Sequence, residues 1–149
     1  MPTLKGEWNY RYLKLAYEVG QWSKDPSKKI GAIAVGSKGQ VLAQGYNGFP
    51  RGISHSPERL NNRELKYKYV VHAEMNLIYN ASYNGTSLDG STVYVNGLHV
   101  CSECAKGLIQ VGVKQVIMPI QEDTPEKWQE SFELTKALFK EAGVAWQFI

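Results

Sequence analysis

The chain reads as an α/β domain: one mixed sheet with helices on both faces. Three observations predict it. Short apolar runs alternate with segments of helical period. The first two runs are joined by a turn and form a hairpin, so the sheet is not all parallel. After the hairpin, strands alternate with helices, and no linker, repeat or low-complexity tract divides the 149 residues.

Trp8 to Ser23 carries apolar residues at Trp8, Tyr12, Leu15, Ala16, Val19 and Trp22, close to the helical period. Asp25-Pro26-Ser27 ends that helix. Ile30 to Val35 reads as a buried strand, Ser37-Lys38-Gly39-Gln40 as a turn, and Val41 to Tyr46 as a second strand. Asn47 to Arg51, with Gly48 and Pro50, is a loop. His55 to Lys68 is polar and runs over the surface with some helix, a usual place for substrate contacts. Val70-Val71 is extended and leads into a helix from near His72, closed by Asn84-Gly85. Thr92 to Val95 is a strand, Cys101 to Val111 a helix ended by Gly112, and Val113 to Met118 a strand. Pro125 to Ala142 is an amphipathic helix with Trp128, Phe132, Leu138 and Phe139 inward. Gly143 caps it, and Val144 to Phe148 is the last strand. The four tryptophans, Trp8, Trp22, Trp128 and Trp146, read as core or interface residues rather than base-stacking platforms.

Composition excludes several functions. No run approaches the ~20 apolar residues of a membrane span. Met1 to Glu7 lacks the features of a signal peptide, so a reducing, cytoplasmic setting is expected. The net charge of +3 is mild. Basic residues cluster as Lys24, Lys28 and Lys29 and as Arg59, Arg63, Lys66 and Lys68, which suits a small phosphorylated ligand as well as a polymer.

The chemistry gathers in two short motifs, His72-Ala73-Glu74 and Cys101-Ser102-Glu103-Cys104, which hold both cysteines of the chain. They offer one imidazole, two thiolates and one carboxylate. That is three zinc ligands with a position left for water, and a general acid/base beside them. Residues two apart do not share a helix face, so His72 and Glu74 can meet only around a helix start. Cys101 and Cys104 lie at a strand-to-helix junction. Two helix N-termini would then favour thiolates and a negatively charged nucleophile. Glu74 is expected to move protons and not to bind the metal. Cys-x-x-Cys also occurs as a redox pair, but such a pair has no use for the His-x-Glu motif. A closed structural zinc site would need a fourth ligand, and His99 is near enough in sequence to be considered.

On these residues the chain resembles the deoxycytidylate (dCMP) deaminases of the cytidine deaminase-like superfamily, over nearly its whole length. The matching stretches are Ser23 to Ala32, Gly45 to Gly52, Lys66 to Glu74 and Cys101 to Lys106. The resemblance implies a cytidine deaminase-like three-layer α-β-α sandwich around a mixed five-stranded sheet, with 1–149 a single zinc-dependent domain. It implies hydrolytic deamination of dCMP to dUMP and ammonia, one catalytic Zn2+ per subunit, and a homo-oligomer, hexameric or smaller. No stable nucleic-acid or membrane partner is expected. By position, His72, Cys101 and Cys104 hold zinc and Glu74 is the proton shuttle. Asn47 contacts the sugar, and the main chain of Ala73 meets the pyrimidine carbonyl. Many members respond to dCTP and dTTP, part of that site mapping to Gly45, Tyr46 and Gly48. Lys28 joins them as an allosteric candidate, and Mg2+ would accompany a nucleotide effector. The extra cysteines that some phage members use for a second zinc are missing, so one zinc is expected. The family usually has proline before the first cysteine. Val100 stands there, which is expected to free the loop and let His99 reach the base or phosphate. Lys28 replaces a small hydroxyl residue. Lys28, Lys29, Arg51 and Lys68 are the candidates for phosphate contact. Other cytosine nucleotides, polynucleotides and a non-catalytic zinc-supported binding role are the alternatives.

Overall fold

A computed structural model of the chain describes residues 4–121 and 126–149. Met1 to Thr3 and Pro125, the expected first residue of the last helix, lie outside these. The elements are α1 (Leu4–Gly20), β1 (Gly31–Val35), β2 (Val41–Tyr46), α2 (Pro57–Asn61), α3 (Arg63–Tyr69), α4 (Ala73–Asn84), β3 (Thr92–Asn96), α5 (Ser102–Gln110), β4 (Gln115–Met118), α6 (Glu126–Ala142) and β5 (Ala145–Phe148). The five strands form one sheet in the order β2-β1-β3-β4-β5. β1 pairs antiparallel with β2 and β3, whereas β3, β4 and β5 run parallel. The expected mixed sheet and opening hairpin are present.

Alternation along the strands divides the core in two. Ala32, Ala34, Val93, Val95, Val116 and Met118 face α4, α5 and α6, where Leu77, Ala105, Leu108 and Phe139 fill the layer. Ile33, Val35, Tyr94 and Ile117 face the other way, onto Leu13, Ala16 and Val19 of α1. Hence three layers result, with α1 on one side of the sheet and α4, α5 and α6 on the other. Among the described residues no helix is long and apolar enough to cross a membrane.

The inward face of α1 includes Tyr12, Ala16 and Val19 as expected. It differs elsewhere: Leu13 is buried, while Trp8 and Leu15, and Trp22 beyond the helix end, are exposed. The contact is set by small residues rather than large ones. A Cβ on Gly31 would fall on the Ala16 carbonyl and on the Gly20 main chain. The helix backbone therefore rests directly on the strand. Gly31→Ala is expected to cost about 1–3 kcal/mol through overpacking, read as a lower urea midpoint with unchanged m-value.

At the other junction Gly45 of β2 packs against the first turn of α4, where a Cβ would meet the Ala73 carbonyl and the Leu77 amide. Asn76 and Asn80 reinforce this contact by donating to the Tyr46 and Gln44 carbonyls at 2.8 and 2.7 Å. Val71 bridges Gly48 antiparallel just before α4 begins, as the extended reading of Val70-Val71 requires. The start of α4 is thus fixed in space by β2 and its following loop.

Candidate active site

His72 is the N-cap of α4 and Cys101 the N-cap of α5, both in extended conformation. Each motif therefore straddles a helix start. His72 Nδ1 lies 3.4 Å from Cys101 Sγ and 3.3 Å from Cys104 Sγ. The three ligand atoms lie within 4.8 Å of one another. Tetrahedral zinc with ordinary Zn–S and Zn–N lengths holds N and S ligands about 3.5 Å apart, so this donor set fits zinc with little movement. His99 is not part of the group. Its Nε2 lies 3.2 Å from the Trp128 carbonyl, and its ring packs on Phe132. The closed structural site with His99 as fourth ligand is therefore not what this arrangement offers, and one position stays open.

The electrostatics follow from burial and helix ends. Glu74, in the first turn of α4, is 3% exposed. Burial pushes its carboxyl up to about 7, and charge on Cys101 pushes the same way. The Cys101 thiol is held well below its usual range, first by a hydrogen bond from Cys104 and also by His72 and the Cys104 amide at 3.5 Å. Cys104 is pushed up by the same pairing and by burial. The hydrogen bond to Cys101 raises His72. A thiol of lowered pKa, a carboxyl raised towards neutrality and two helix N-termini thus meet at one point.

They open into a cavity of about 470 Å³, a size usual for small-ligand sites. Its lining includes His72, Glu74 and Cys101 from the helix starts, and Asp25, Lys28 and Asn47 from the loops around β1 and β2. Arg63, Lys66, Tyr67 and Val70 of α3 and its C-cap, and Trp128 of α6, also contribute. Asn47 is buried, and its amide accepts from the Ile30 amide and donates to the Lys28 carbonyl, both at 2.9 Å. Each half of that amide keeps one further hydrogen-bonding capacity. Ala73 is wholly buried behind His72. His99 lines the cavity but is tied to α6, and burial lowers its pKa.

Several expectations need correction. Arg51 is outside the cavity lining: it donates to Asn80 Oδ1 at 2.6 Å and lies over the Tyr83 ring on the outer side of α4. Lys29 is exposed and also outside the lining, while Lys28, beside it, is inside. Lys68 is exposed and faces Glu64. The loop before Cys101 is not freed by the absence of proline. Val100 is fully buried, and Thr135 donates to its carbonyl at 3.0 Å. Packing does there what a ring would do elsewhere. Trp128 lines the cavity instead of filling the core. Arg63 and Lys66, noted in the sequence only as members of a basic cluster, and Tyr67, not singled out, are in the lining. Their spacing with Val70 is i, i+3, i+4, i+7, a helical face that was legible inside the basic run.

Comparison with known proteins follows the same lines. Residues 6–120 match the family model for the cytidine and deoxycytidylate deaminase zinc-binding region. Human deoxycytidylate deaminase is 40% identical over 148 residues, covering 95% of this chain and 79% of that protein. An uncharacterized deaminase of Aliivibrio fischeri is 36% identical over 139 residues, covering 93% and 90%. The dCMP deaminase of cyanophage S-TIM5, crystallised with dCMP and dUMP, superposes with a TM-score of 0.77 at 27% identity, over 99% of this chain and 100% of that one.

Proposed function

This chain belongs to the cytidine and deoxycytidylate deaminase family, and we propose that it hydrolyses dCMP to dUMP and ammonia. The observation that carries the reading is the His72, Cys101 and Cys104 donor set with a fourth position open and buried Glu74 beside it. When bound by these three residues, zinc supplies an acidified water at neutral pH. Glu74 takes a proton from the attacking water and delivers it to N3 of the pyrimidine. It then carries a second proton to the 4-amino group, so the C4–O bond forms, the C4–N bond breaks and ammonia leaves. A carboxyl lifted towards neutrality can both take and return protons.

Asn47 is the proposed partner of the sugar, a reading supported by its position in the cavity lining and by the donor and acceptor capacity beyond its two loop contacts. The main chain around Ala73 is the proposed partner of the pyrimidine carbonyl. A reducing, cytoplasmic setting suits two free thiols that serve as metal ligands. Homo-oligomerisation is supported by large aromatics left exposed on α1 and α4, among them Tyr10, Tyr17, Tyr79 and Tyr83. An effector site for dCTP or dTTP, with Mg2+, would fall on Gly45, Tyr46 and Gly48 and the adjoining faces of such an assembly.

The test is ammonia release by the zinc-loaded protein with dCMP, cytidine, dCTP and a short single-stranded oligonucleotide. Turnover strongest on dCMP is expected, and turnover confined to the oligonucleotide would replace the reading. The pH profile of kcat/KM on dCMP adds a second check. Burial raises the Glu74 carboxyl from 4.5 to about 7, and a divalent cation beside it pulls it back down. Glu74 must be ionised to accept the first proton. Activity therefore falls as pH drops, through an acid limb lying below about 7. A limb centred well above that would remove Glu74 from that role.

A further inference from the structure

One buried ion pair has no part in the proton and metal chemistry. Lys66 Nζ lies 3.1 Å from Asp25 Oδ1, and both side chains are 9% exposed. Both residues line the cavity. Asp25 Oδ1 also accepts the main-chain N–H of Ser27 at 2.8 Å and of Lys28 at 3.1 Å. A single oxygen thus fixes the turn that carries Ser27 and Lys28 and holds an ammonium from α3. An ammonium has three donors. Among the described residues Asp25 is its partner, which leaves donors for whatever enters the cavity.

A buried ion pair is weak evidence for a stabilising role, since replacement by an apolar pair of similar volume is often neutral or better. This one sits on a cavity wall. Its ammonium is already desolvated and held in place, so little side-chain entropy is lost when an anion arrives. Arg63 and Lys28 line the same cavity but are exposed, and exposed charges are mobile and screened by salt. The three cations come from α3 and the turn after α1. Glu74 and the thiols come from the starts of α4 and α5, while Asp25, the one carboxylate on the cationic wall, is taken up by Lys66 and the turn amides. The cavity therefore carries separate walls for an anionic tail and for the reacting base.

We propose that Lys66 is the residue that selects a phosphate monoester on the substrate, and that Asp25 is a positioning residue that holds Lys66 and the Ser27–Lys28 turn in place. This rests on the deaminase reading, with dCMP as the phosphorylated form and deoxycytidine as the form without phosphate.

The test uses the zinc-loaded full chain with the double substitution Asp25→Asn and Lys66→Met. Asparagine keeps the oxygen that the turn needs, methionine keeps the unbranched chain to within one atom, and no buried charge is left unpaired. Steady-state kinetics are measured on dCMP and deoxycytidine, and calorimetry on dUMP and deoxyuridine. The loss in kcat/KM on dCMP is expected to exceed any loss on deoxycytidine by about 30-fold or more, carried by KM. The affinity ratio of dUMP to deoxyuridine is expected to fall by the same factor. Equal losses on both substrates, or none on either, would overturn the proposal and leave the pair a structural clip. Absence of wild-type turnover on both would remove the deaminase reading instead, and the calorimetric ratio would still decide the phosphate contact.

Discussion

Glu74→Gln is expected to retain zinc and the fold while lowering kcat on dCMP by about three orders of magnitude or more. Positioned acid/base groups contribute about 10²–10⁴-fold each, and Glu74 is asked for two transfers in one turnover. Glutamine matches its shape, so the first turn of α4 and the contact with Gly45 are preserved. A neutral amide also avoids the cost of ionising a carboxyl that is 3% exposed, a cost visible in its rise to about 7. Stability should therefore not fall by more than about 1 kcal/mol. What glutamine lacks is a proton it can give up and take back. The experiment pairs zinc content per chain with single-turnover ammonia release. A variant with full zinc and a rate within tenfold of wild type would show that another group carries the protons.

The contrast between Glu74 and Lys66 shows what a sequence can and cannot disclose about such a site. His-x-Glu and Cys-x-x-Cys are short-range patterns, and each was legible because a helix start alone brings its members together. The starts of α4 and α5 were readable for the same reason, as was the hairpin from its Gly-containing turn. Lys66 and Asp25 are 41 residues apart, and only tertiary folding makes them a pair. The helical face of Arg63, Lys66, Tyr67 and Val70 could have been counted, but nothing local says which face turns inward. Arg51 failed for a related reason. A residue close to a matching motif is not thereby close to the cavity, and Asn80 and Tyr83 hold it on the far side of α4. In α1 the large residues drew the expected apolar stripe, whereas the close approach of Ala16 and Gly20 to Gly31 set the real one. Val100 gave no sign of its packing, because its restraint comes from Thr135 of α6.

Cys104→Ser is expected to abolish turnover by releasing zinc, without unfolding the chain. Cys104 Sγ lies 3.3 Å from His72 Nδ1 and the residue is buried, so its hydroxyl substitute stays where the thiolate was but is a poor zinc ligand. Four-ligand zinc sites bind with about 10–16 kcal/mol, so one ligand is worth roughly 3 kcal/mol, about a hundredfold in affinity. Dialysed protein should accordingly carry one zinc per wild-type chain and little on the variant. The fold is expected not to depend on the metal in the way a zinc finger does. The layer of Leu77, Val93, Leu108, Val116 and Phe139 is complete without it, and the three ligands are brought together by helix starts already anchored on β2 and α6. Chelated wild type should therefore melt at a lower temperature than the loaded protein, by mass action alone, yet stay folded at 25 °C with native near-UV circular dichroism. Loss of that signal on chelation would make zinc an organiser of the fold and favour the non-catalytic binding role. Retention of the signal with loss of turnover leaves zinc as a reagent, held by a site that the chain builds in advance.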